Sequence, residues 1–180
     1  FNYPENYPFE PPTVIFKTCD GMTRFNPNLY INGKVCLSVL NTWNGEGWTS
    51  CQTISSVLLV LSSIFNSNPL TNEPGIKMTN IDNDNYNCLL SYKNIEFSII
   101  KQMKYLKNNS NDQLVNFIKF RPIVNKNFIE NQEKILENLN KIKYLNKQTI
   151  IVSVYNLNQY IDIDRLVNKL NKLNKLNKLN

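Results

Sequence analysis

NGKVCLSVL, residues 32–40, places a cysteine close behind a glycine in a long stretch that has no helical or strand period. The stretch runs from residue 19 to about residue 50 and contains Asn-Pro and Asn-Gly pairs, which are turn signals. Loops of this length without regular structure usually carry a function. We therefore predict a long functional loop with Cys36 inside it.

Cys36 and Asn28 form the candidate chemical pair of this loop. A single cysteine among apolar neighbours is most often a small buried hydrophobic residue. Cys36, however, follows a glycine turn and lies eight residues after Asn28, so a side-chain amide can lie near the thiol. Attack on an acyl carbonyl creates an oxyanion, which a fixed asparagine donor stabilises by about 3 to 4 kcal/mol. Alternatively, Asn28 only satisfies backbone groups of its turn, and both interpretations remain open.

Regular structure is predicted on both sides of the loop. Residues 13–18 alternate in polarity behind Pro11-Pro12, which predicts a short strand. Apolar residues recur at helical spacing from Thr53, a suitable N-cap, to about Asn66. The hydrophobic stripe is wide, so we expect this helix to be buried on most of its surface.

A second, helix-rich region begins near residue 78, because all five glycines and seven of the eight prolines precede it. Helical periods are predicted over residues 84–106, 112–120 and 127–146, interrupted by Pro122, and a helix start over residues 162–169. The β-branched residues 149–155 are predicted as a strand. The final Lys-Leu-Asn repeats have a three-residue period, whose leucines drift around a helix, so we interpret them as low-complexity sequence.

The net charge of +6 is unevenly distributed. Residues 1–78 hold four basic and five acidic side chains, and residues 79–180 hold sixteen and nine. In the second part the lysines alternate with asparagine and leucine, which is typical of a solvated helix face. We therefore expect no nucleic-acid partner.

Histidine is absent, and the four cysteines form no Cys-x-x-Cys pair, which argues against a metal site and against a disulfide framework. We expect no metal and no other cofactor. No stretch approaches the roughly 18 apolar residues of a membrane span, so we also expect no membrane partner.

Four motifs stand in a fixed order near the N-terminus, and together they resemble the catalytic core of ubiquitin-conjugating enzymes. They are YPFEPPTVIFKT at residues 7–18, FNPNLY at residues 25–30, GKVCLSVL at residues 33–40, and Trp48 ahead of ISSVL at residues 54–58. The resemblance covers about residues 3–78. The inserts at residues 41–48 and 68–75 look most like those of the large Z-type class of the family.

The resemblance implies an acyltransferase mechanism on Cys36. The thiol would accept ubiquitin, or a related modifier, from an activating enzyme as a thioester, and would pass it to a substrate lysine or to a ligase. Asn28 would stabilise the oxyanion or the loop around it. Phe9, Trp48 and Ser50 fall where such enzymes meet the activating enzyme and ligases, although both aromatic side chains could instead pack the loop down.

Three positions depart from the family pattern. The usual His-Pro-Asn is Asn26-Pro27-Asn28, where asparagine can substitute for a histidine that braces the loop. The usual proline after the Trp-Ser motif is Ser50, which puts the range of ligases in doubt. The acidic gate residue falls near Thr71 or Asn72, neither of which is acidic, so direct transfer to lysine would depend on another group.

The resemblance also implies an α+β fold of which this chain holds one strand, the long active-site loop and the central helix. We predict three segments: the C-terminal part of the ubiquitin-conjugating core at residues 1–107, a helical extension at residues 108–168 and a low-complexity tail at residues 169–180. The family's first helix and first three strands would precede Phe1. We therefore expect this chain alone to expose one face of the central helix and to be poorly stable.

Two other functions remain as alternatives to the enzyme. A non-catalytic module would bind ubiquitin or a ligase without chemistry, and the presence of Cys36 and Asn28 speaks against it. A cysteine peptidase would need a general base, and this sequence contains no histidine. The expected location is the cytoplasm, with the nucleus as a second compartment.

Overall fold

The computed structural model describes residues 1–108 and 118–177. The chain divides into two compact units, Phe1–Asn87 and Cys88–Asn180. No helix within the described ranges is long and apolar enough to cross a membrane. Helices and a small antiparallel sheet together give a fold of the α+β class.

The first unit is built mainly from turns. The strand predicted at residues 13–18 is wrong, because this segment makes only isolated bridges, Asn2 with Thr13 and Ile15 with Lys34. A strand needs consecutive pairs along one partner, and here the pairing passes from one irregular segment to another after a single bridge. The predicted long loop is confirmed, and the one helical stretch described within it is the short 3₁₀ helix Ser38–Leu40.

Helix α1, Ile54–Ile64, confirms the central helix predicted after Thr53. The Thr53 N–H donates to the Ser56 hydroxyl at 3.3 Å, which satisfies one of the free donors at the helix start. Val57 and Ile64 are buried, in a core completed by Leu29, Val35, Leu37 and Leu40 from the loop. A short 3₁₀ helix, Pro69–Asn72, follows.

The prediction that α1 is buried on most of its surface is wrong. Only the side that faces the loop is covered within the first unit, while Leu58, Leu59 and Phe65 are exposed. The expectation of one exposed apolar face is thereby confirmed. The expected low stability stays a prediction.

The helical period predicted over residues 84–106 is confirmed. Helix α2, Asp82–Lys93, continues as the π-helical stretch Asn94–Lys101 and then as α3, Gln102–Asn108. Most of the predicted helix at residues 112–120 lies outside the described residues.

Two further helices, α4 at Arg121–Glu130 and α5 at Gln132–Lys141, cover most of the period predicted at residues 127–146. A 3₁₀ helix, Lys143–Leu145, follows them. Pro122 lies in the first turn of α4 and does not interrupt a helix. Proline is well tolerated there, because the first N–H groups of a helix have no intrahelical acceptor.

A hairpin and a last helix complete the second unit. Strand β1, Thr149–Val152, confirms the first part of the predicted strand, and a 3₁₀ helix, Ser153–Tyr155, takes up the rest. Strand β2, Leu157–Tyr160, pairs antiparallel to β1 from Thr149 opposite Tyr160 to Val152 opposite Leu157.

Helix α6, Ile163–Asn177, confirms the predicted helix start but continues into the Lys-Leu-Asn repeats. Leu166, Leu170 and Leu173 are buried. They are spaced by four and three residues and so share one helix face, which the three-residue repeat alone did not indicate. The expectation that the leucines of these repeats do not line one helix face is therefore wrong for Leu170 and Leu173.

Candidate active site

Cys36 and Asn28 are joined by two hydrogen bonds. The Cys36 N–H donates to the Asn28 carbonyl at 2.8 Å, and the Asn28 side-chain amide donates to the Cys36 carbonyl, also at 2.8 Å. The structure thus brings together the two residues that the sequence selected as a pair. An amide nitrogen carries two hydrogens, so this bond engages only one of the donors of Asn28.

Asn26 fixes the turn that carries Asn28. Its side chain is fully buried, accepts a hydrogen bond from the Asn28 N–H at 3.0 Å and donates to the Ile64 carbonyl at 2.8 Å. Ile64 is the last residue of α1. Asn26 therefore braces the turn against the central helix, in the way expected of an asparagine that replaces the family's histidine.

The Cys36 side chain is enclosed by its own loop. The residue is 3% exposed, and its thiol donates to the Thr42 carbonyl at 3.3 Å. The flanking residues Val35 and Leu37 belong to the buried core. The nucleophile is therefore held inward in this conformation.

Thr42 is a residue that the sequence analysis missed. Its hydroxyl donates toward the Val35 carbonyl at 2.8 Å and accepts from the Leu37 N–H at 2.9 Å, so it bonds both neighbours of Cys36. A threonine six residues after the cysteine carries no signal of this kind, since the contact exists only once the loop folds back.

The side chain of Asn28 also contains an unpaired hydrogen-bond acceptor. Its Oδ1 is buried and has no hydrogen-bond partner within the described residues. Buried polar atoms are nearly always paired, and exceptions call for an explanation such as a catalytic role or a bound water.

The two candidate gate residues lie in different surroundings. The Asn72 amide donates to the Ile64 carbonyl at 3.0 Å and lies 3.4 Å from the Asn26 Oδ1, so it belongs to the same polar cluster as the Asn28 turn. The Thr71 hydroxyl closes on the Asn68 carbonyl of its own turn at 2.7 Å.

The candidate partner residues separate into an exposed and a packed group. Phe9 is 80% exposed, and Ser50 is exposed as well. Trp48 is half-buried, its indole N–H donates to the Pro8 carbonyl at 2.7 Å, and its ring lies 6.0 Å from that of Tyr7. Trp48 thus packs the loop down beside the segment that presents Phe9.

Arg24, Tyr86 and Glu73 support the turn from outside. The Arg24 guanidinium donates to the Pro27 carbonyl and lies 3.6 Å from the Glu73 carboxylate. The buried Tyr86 hydroxyl donates to the Arg24 carbonyl at 2.7 Å, and burial raises the pKa of Tyr86 well above its ordinary value. Over residues 1–108 and 118–177, no three histidine, cysteine, aspartate or glutamate side chains come together as metal ligands would.

Comparison with known proteins places this loop in a family. The family model described as ubiquitin-conjugating enzyme matches residues 1–110. The ubiquitin-conjugating enzyme E2 Z of Homo sapiens is 42% identical over 107 residues, which cover 58% of this chain and 30% of that protein. E2 Z of Xenopus tropicalis is 40% identical over 107 residues, covering 58% of this chain and 34% of the relative.

A relative with a different name matches a shorter stretch of this chain. The dual E2 ubiquitin-conjugating enzyme/E3 ubiquitin-protein ligase BIRC6 of Homo sapiens is 51% identical over 81 residues, which cover 41% of this chain and 2% of that protein. The matched stretch spans about a third of the length of the E2 Z relatives. Because the family model covers more than half of the chain and includes both Cys36 and Asn28, this chain belongs to the ubiquitin-conjugating enzyme family.

Proposed function

We propose that this chain carries ubiquitin or a related modifier as a thioester on Cys36 and transfers it to a substrate lysine or to a ligase. The observation that carries the proposal is the reciprocal hydrogen bonding of Cys36 and Asn28, in a chain of this family. Acyl transfer uses a thiol nucleophile and a hydrogen-bond donor held in a fixed position beside it.

The charging step is an exchange between two thiols. Cys36 loses its proton to solvent, and the thiolate attacks the carbonyl carbon of the thioester on the activating enzyme. A new carbon–sulfur bond forms, the oxyanion collapses, the old carbon–sulfur bond breaks, and the departing thiolate of the activating enzyme takes up a proton. Attacking and leaving groups are of the same kind, so no histidine base is needed.

In this mechanism Asn28 donates its second amide hydrogen to the oxyanion while the first stays on the Cys36 carbonyl. A purely structural Asn28 would instead contribute only by holding the Cys36 backbone. The two roles predict different effects of removing the Asn28 side chain. Loss of a donor to the oxyanion slows the chemical step by about 100-fold or more, whereas loss of a structural residue lowers the stability of the fold.

Discharge moves the acyl group from sulfur to nitrogen or to a ligase thiol. With lysine, the neutral amine attacks the carbonyl, the carbon–sulfur bond to Cys36 breaks, and the proton of the amine passes to water. Neither Thr71 nor Asn72 can accept that proton, and their part in the proposal is to orient the amine by hydrogen bonding. A ligase cysteine needs no such group, because thiol exchange repeats the charging step.

The proposed partners are the modifier, an activating enzyme, ligases and substrate proteins, with no nucleic acid and no membrane. Phe9 is the proposed anchor of the partner surface because it is 80% exposed, and Trp48 and Ser50 are the other proposed contact residues. An exposed aromatic ring is a favourable docking anchor.

The organisation around the site is proposed to follow the family. Residues 1–107 act as the C-terminal part of the core, with residues 108–168 as an extension and residues 169–180 as a tail, in the cytoplasm and also in the nucleus. The single bridges at residues 13 and 15 and the exposed face of α1 support a core that is partial in this chain.

A second candidate function is a non-catalytic module that binds ubiquitin or a ligase. One observation favours it: Cys36 is only 3% exposed, and its thiol is hydrogen-bonded inward. Such a module would use Phe9 and its surroundings without ever charging the thiol.

Incubation of the chain with ubiquitin, ATP and an activating enzyme separates the two candidates. We expect an adduct that a reductant removes and that is lost in Cys36→Ala but kept in Cys88→Ala, the matched control at another free thiol. Asn28→Ala should slow thioester formation about 100-fold, beside an unaffected Asn168→Ala control at an exposed position of α6. Measurable affinity for ubiquitin without any adduct would leave only the binding module.

A further inference from the structure

Thr42 contacts the chain on both sides of the candidate nucleophile. Its hydroxyl accepts from the Leu37 N–H at 2.9 Å, and its single hydrogen points between the carbonyls of Val35 at 2.8 Å and Leu37 at 3.1 Å. The Thr42 N–H donates back to the Leu37 carbonyl at 3.2 Å. One side chain therefore fixes the peptide groups immediately before and after Cys36.

The Thr42 backbone also engages the thiol. The Cys36 sulfur lies 3.3 Å from the Thr42 carbonyl oxygen, within the range of an S–H donor. With Cys36 only 3% exposed, the thiol is closed to an incoming thioester in this conformation. The hydroxyl and the carbonyl of one residue thus set the place and the direction of the sulfur.

The position of Thr42 is set in turn by the loop at residues 41–48. Asn41 adopts a left-handed conformation with φ of 56°, and its Oδ1 accepts from the Trp48 N–H at 2.8 Å, which closes the loop on itself. A Cβ on Gly47 would lie 2.6 Å from that Oδ1, so the Asn41 side chain would have to shift away from its present position. We call residues 41–48 the clasp.

Resting on the proposed function, we propose that Thr42 is a positioning residue for Cys36 and that the clasp holds the thiol closed until a thioester donor displaces it. The chemical step is unchanged: the Thr42 carbonyl releases the S–H, the proton goes to solvent, and the thiolate attacks. Removing the hydroxyl of Thr42 exposes the thiol to small reagents and at the same time misplaces it for transfer.

Alkylation of the native chain by iodoacetamide measures the first consequence without any modifier. We expect Thr42→Val to raise the alkylation rate of Cys36, relative to the exposed Cys51 of the same molecule, by about fivefold to tenfold, the factor that one lost hydrogen bond allows. Thr42→Ser keeps the hydroxyl and should stay near the wild-type rate. Gly47→Ala should raise the rate by opening the clasp with Thr42 intact.

Kinetics of thioester formation measure the second consequence. We expect Thr42→Val to lower kcat about tenfold with KM for the charged activating enzyme unchanged, because a displaced nucleophile affects the reaction and not the docking. Thr23→Val is the matched control, since Thr23 is 4% exposed and its hydroxyl donates to Asp20 at 2.8 Å, a bond outside the clasp. It should lower stability alone.

The outcomes separate the two proposals. If the wild-type chain forms no thioester but Thr42→Val and Gly47→Ala raise the Cys36 alkylation rate, the proposed function fails and the clasp stands. If the wild-type chain charges normally while alkylation and kcat of Thr42→Val match those of Thr23→Val, the clasp is overturned. Should Thr42→Val fail to fold, an unchanged alkylation rate in Gly47→Ala overturns it equally.

Discussion

The two compact units of this chain differ in how their buried backbone groups are hydrogen-bonded. In Phe1–Asn87 much of the core is supplied by a loop, and side chains such as Asn26 and Thr42 supply hydrogen bonds that regular structure would otherwise make. In the described part of Cys88–Asn180, helices and a hairpin pair their own backbone, and the buried side chains are mostly apolar.

This difference indicates which substitutions should destabilise each unit most. A helix keeps its hydrogen bonds when one apolar side chain is shortened, so the loss comes from the cavity left behind. A loop held by side-chain amides loses the backbone pairing itself when one polar side chain is removed. Stability should therefore depend on large apolar residues in the second unit and on small polar residues in the first.

The largest expected effect is in the second unit. Leu166→Ala shortens a fully buried side chain on α6 and should lower the free energy of unfolding by about 3 to 5 kcal/mol in a urea titration. Leu59→Ala, at a leucine that is 73% exposed on α1, is the matched control and should change it by less than about 0.5 kcal/mol. Equal losses of unfolding free energy in the two variants would show that buried apolar side chains do not dominate the stability of the second unit.

Sequence periodicity predicted most of the second unit because its helices bury one face each. The exceptions have physical causes: Pro122 begins a helix instead of interrupting one, and strand β2, whose residues 157–160 include polar side chains, is defined only by its pairing with β1. The buried Leu170 and Leu173 were assigned to a tail because a three-residue repeat does not show which leucines a neighbour will cover.

In the first unit, motifs predicted the site better than periodicity predicted the fold. The spacing of Asn28 and Cys36 indicated their contact, whereas residues 13–18 have the alternation of a strand without continuous pairing. Thr42 was missed because its contacts depend on the closure of the clasp, which no local pattern encodes. Side-chain-to-backbone bonds across a loop are therefore the least predictable part of such a site.

The second prediction tests whether polar residues hold the first unit. Asn26→Ala removes the acceptor of the Asn28 N–H and one of the two donors to the Ile64 carbonyl, and it should lower the free energy of unfolding by about 2 to 3 kcal/mol. Hydrogen exchange followed by mass spectrometry should show the loss of protection at residues 26–36. Asn44→Ala removes the same amide at an exposed position and serves as the control.

A result in which Asn26→Ala loses no more stability than Asn44→Ala would mean that the apolar core alone holds the turn. The contrast between the two units would then be one of secondary structure and not of energetics. A loss in Asn26→Ala with thioester formation intact would instead separate the bracing of the turn from the chemistry of Cys36.

The third and smallest effect concerns Tyr86, a buried polar group of the first unit. Tyr86→Phe removes the hydroxyl that donates to the Arg24 carbonyl and should cost about 1 kcal/mol at neutral pH. Tyr3→Phe, at a tyrosine that is 52% exposed, should cost much less in the same urea titration. The comparison measures what the Tyr86 hydroxyl, which bonds the Arg24 carbonyl, contributes to the stability of the first unit.

The pH dependence of this variant has a definite sign. Burial raises the pKa of Tyr86 above its ordinary value of 10.0, so the unfolded chain releases the phenolic proton at lower pH than the folded chain does. The contribution of Tyr86 is thus fully present below about pH 10 and is lost as the pH rises further, by at most about 1.4 kcal/mol per pH unit. The stability difference between wild type and Tyr86→Phe should therefore be constant from pH 7 to about pH 9 and should shrink above about pH 10. If the stability difference stayed constant above about pH 10 as well, the Tyr86 hydroxyl would not be buried in solution. Tyr86 would then not belong, as Asn26 does, to the buried polar groups that stabilise the first unit.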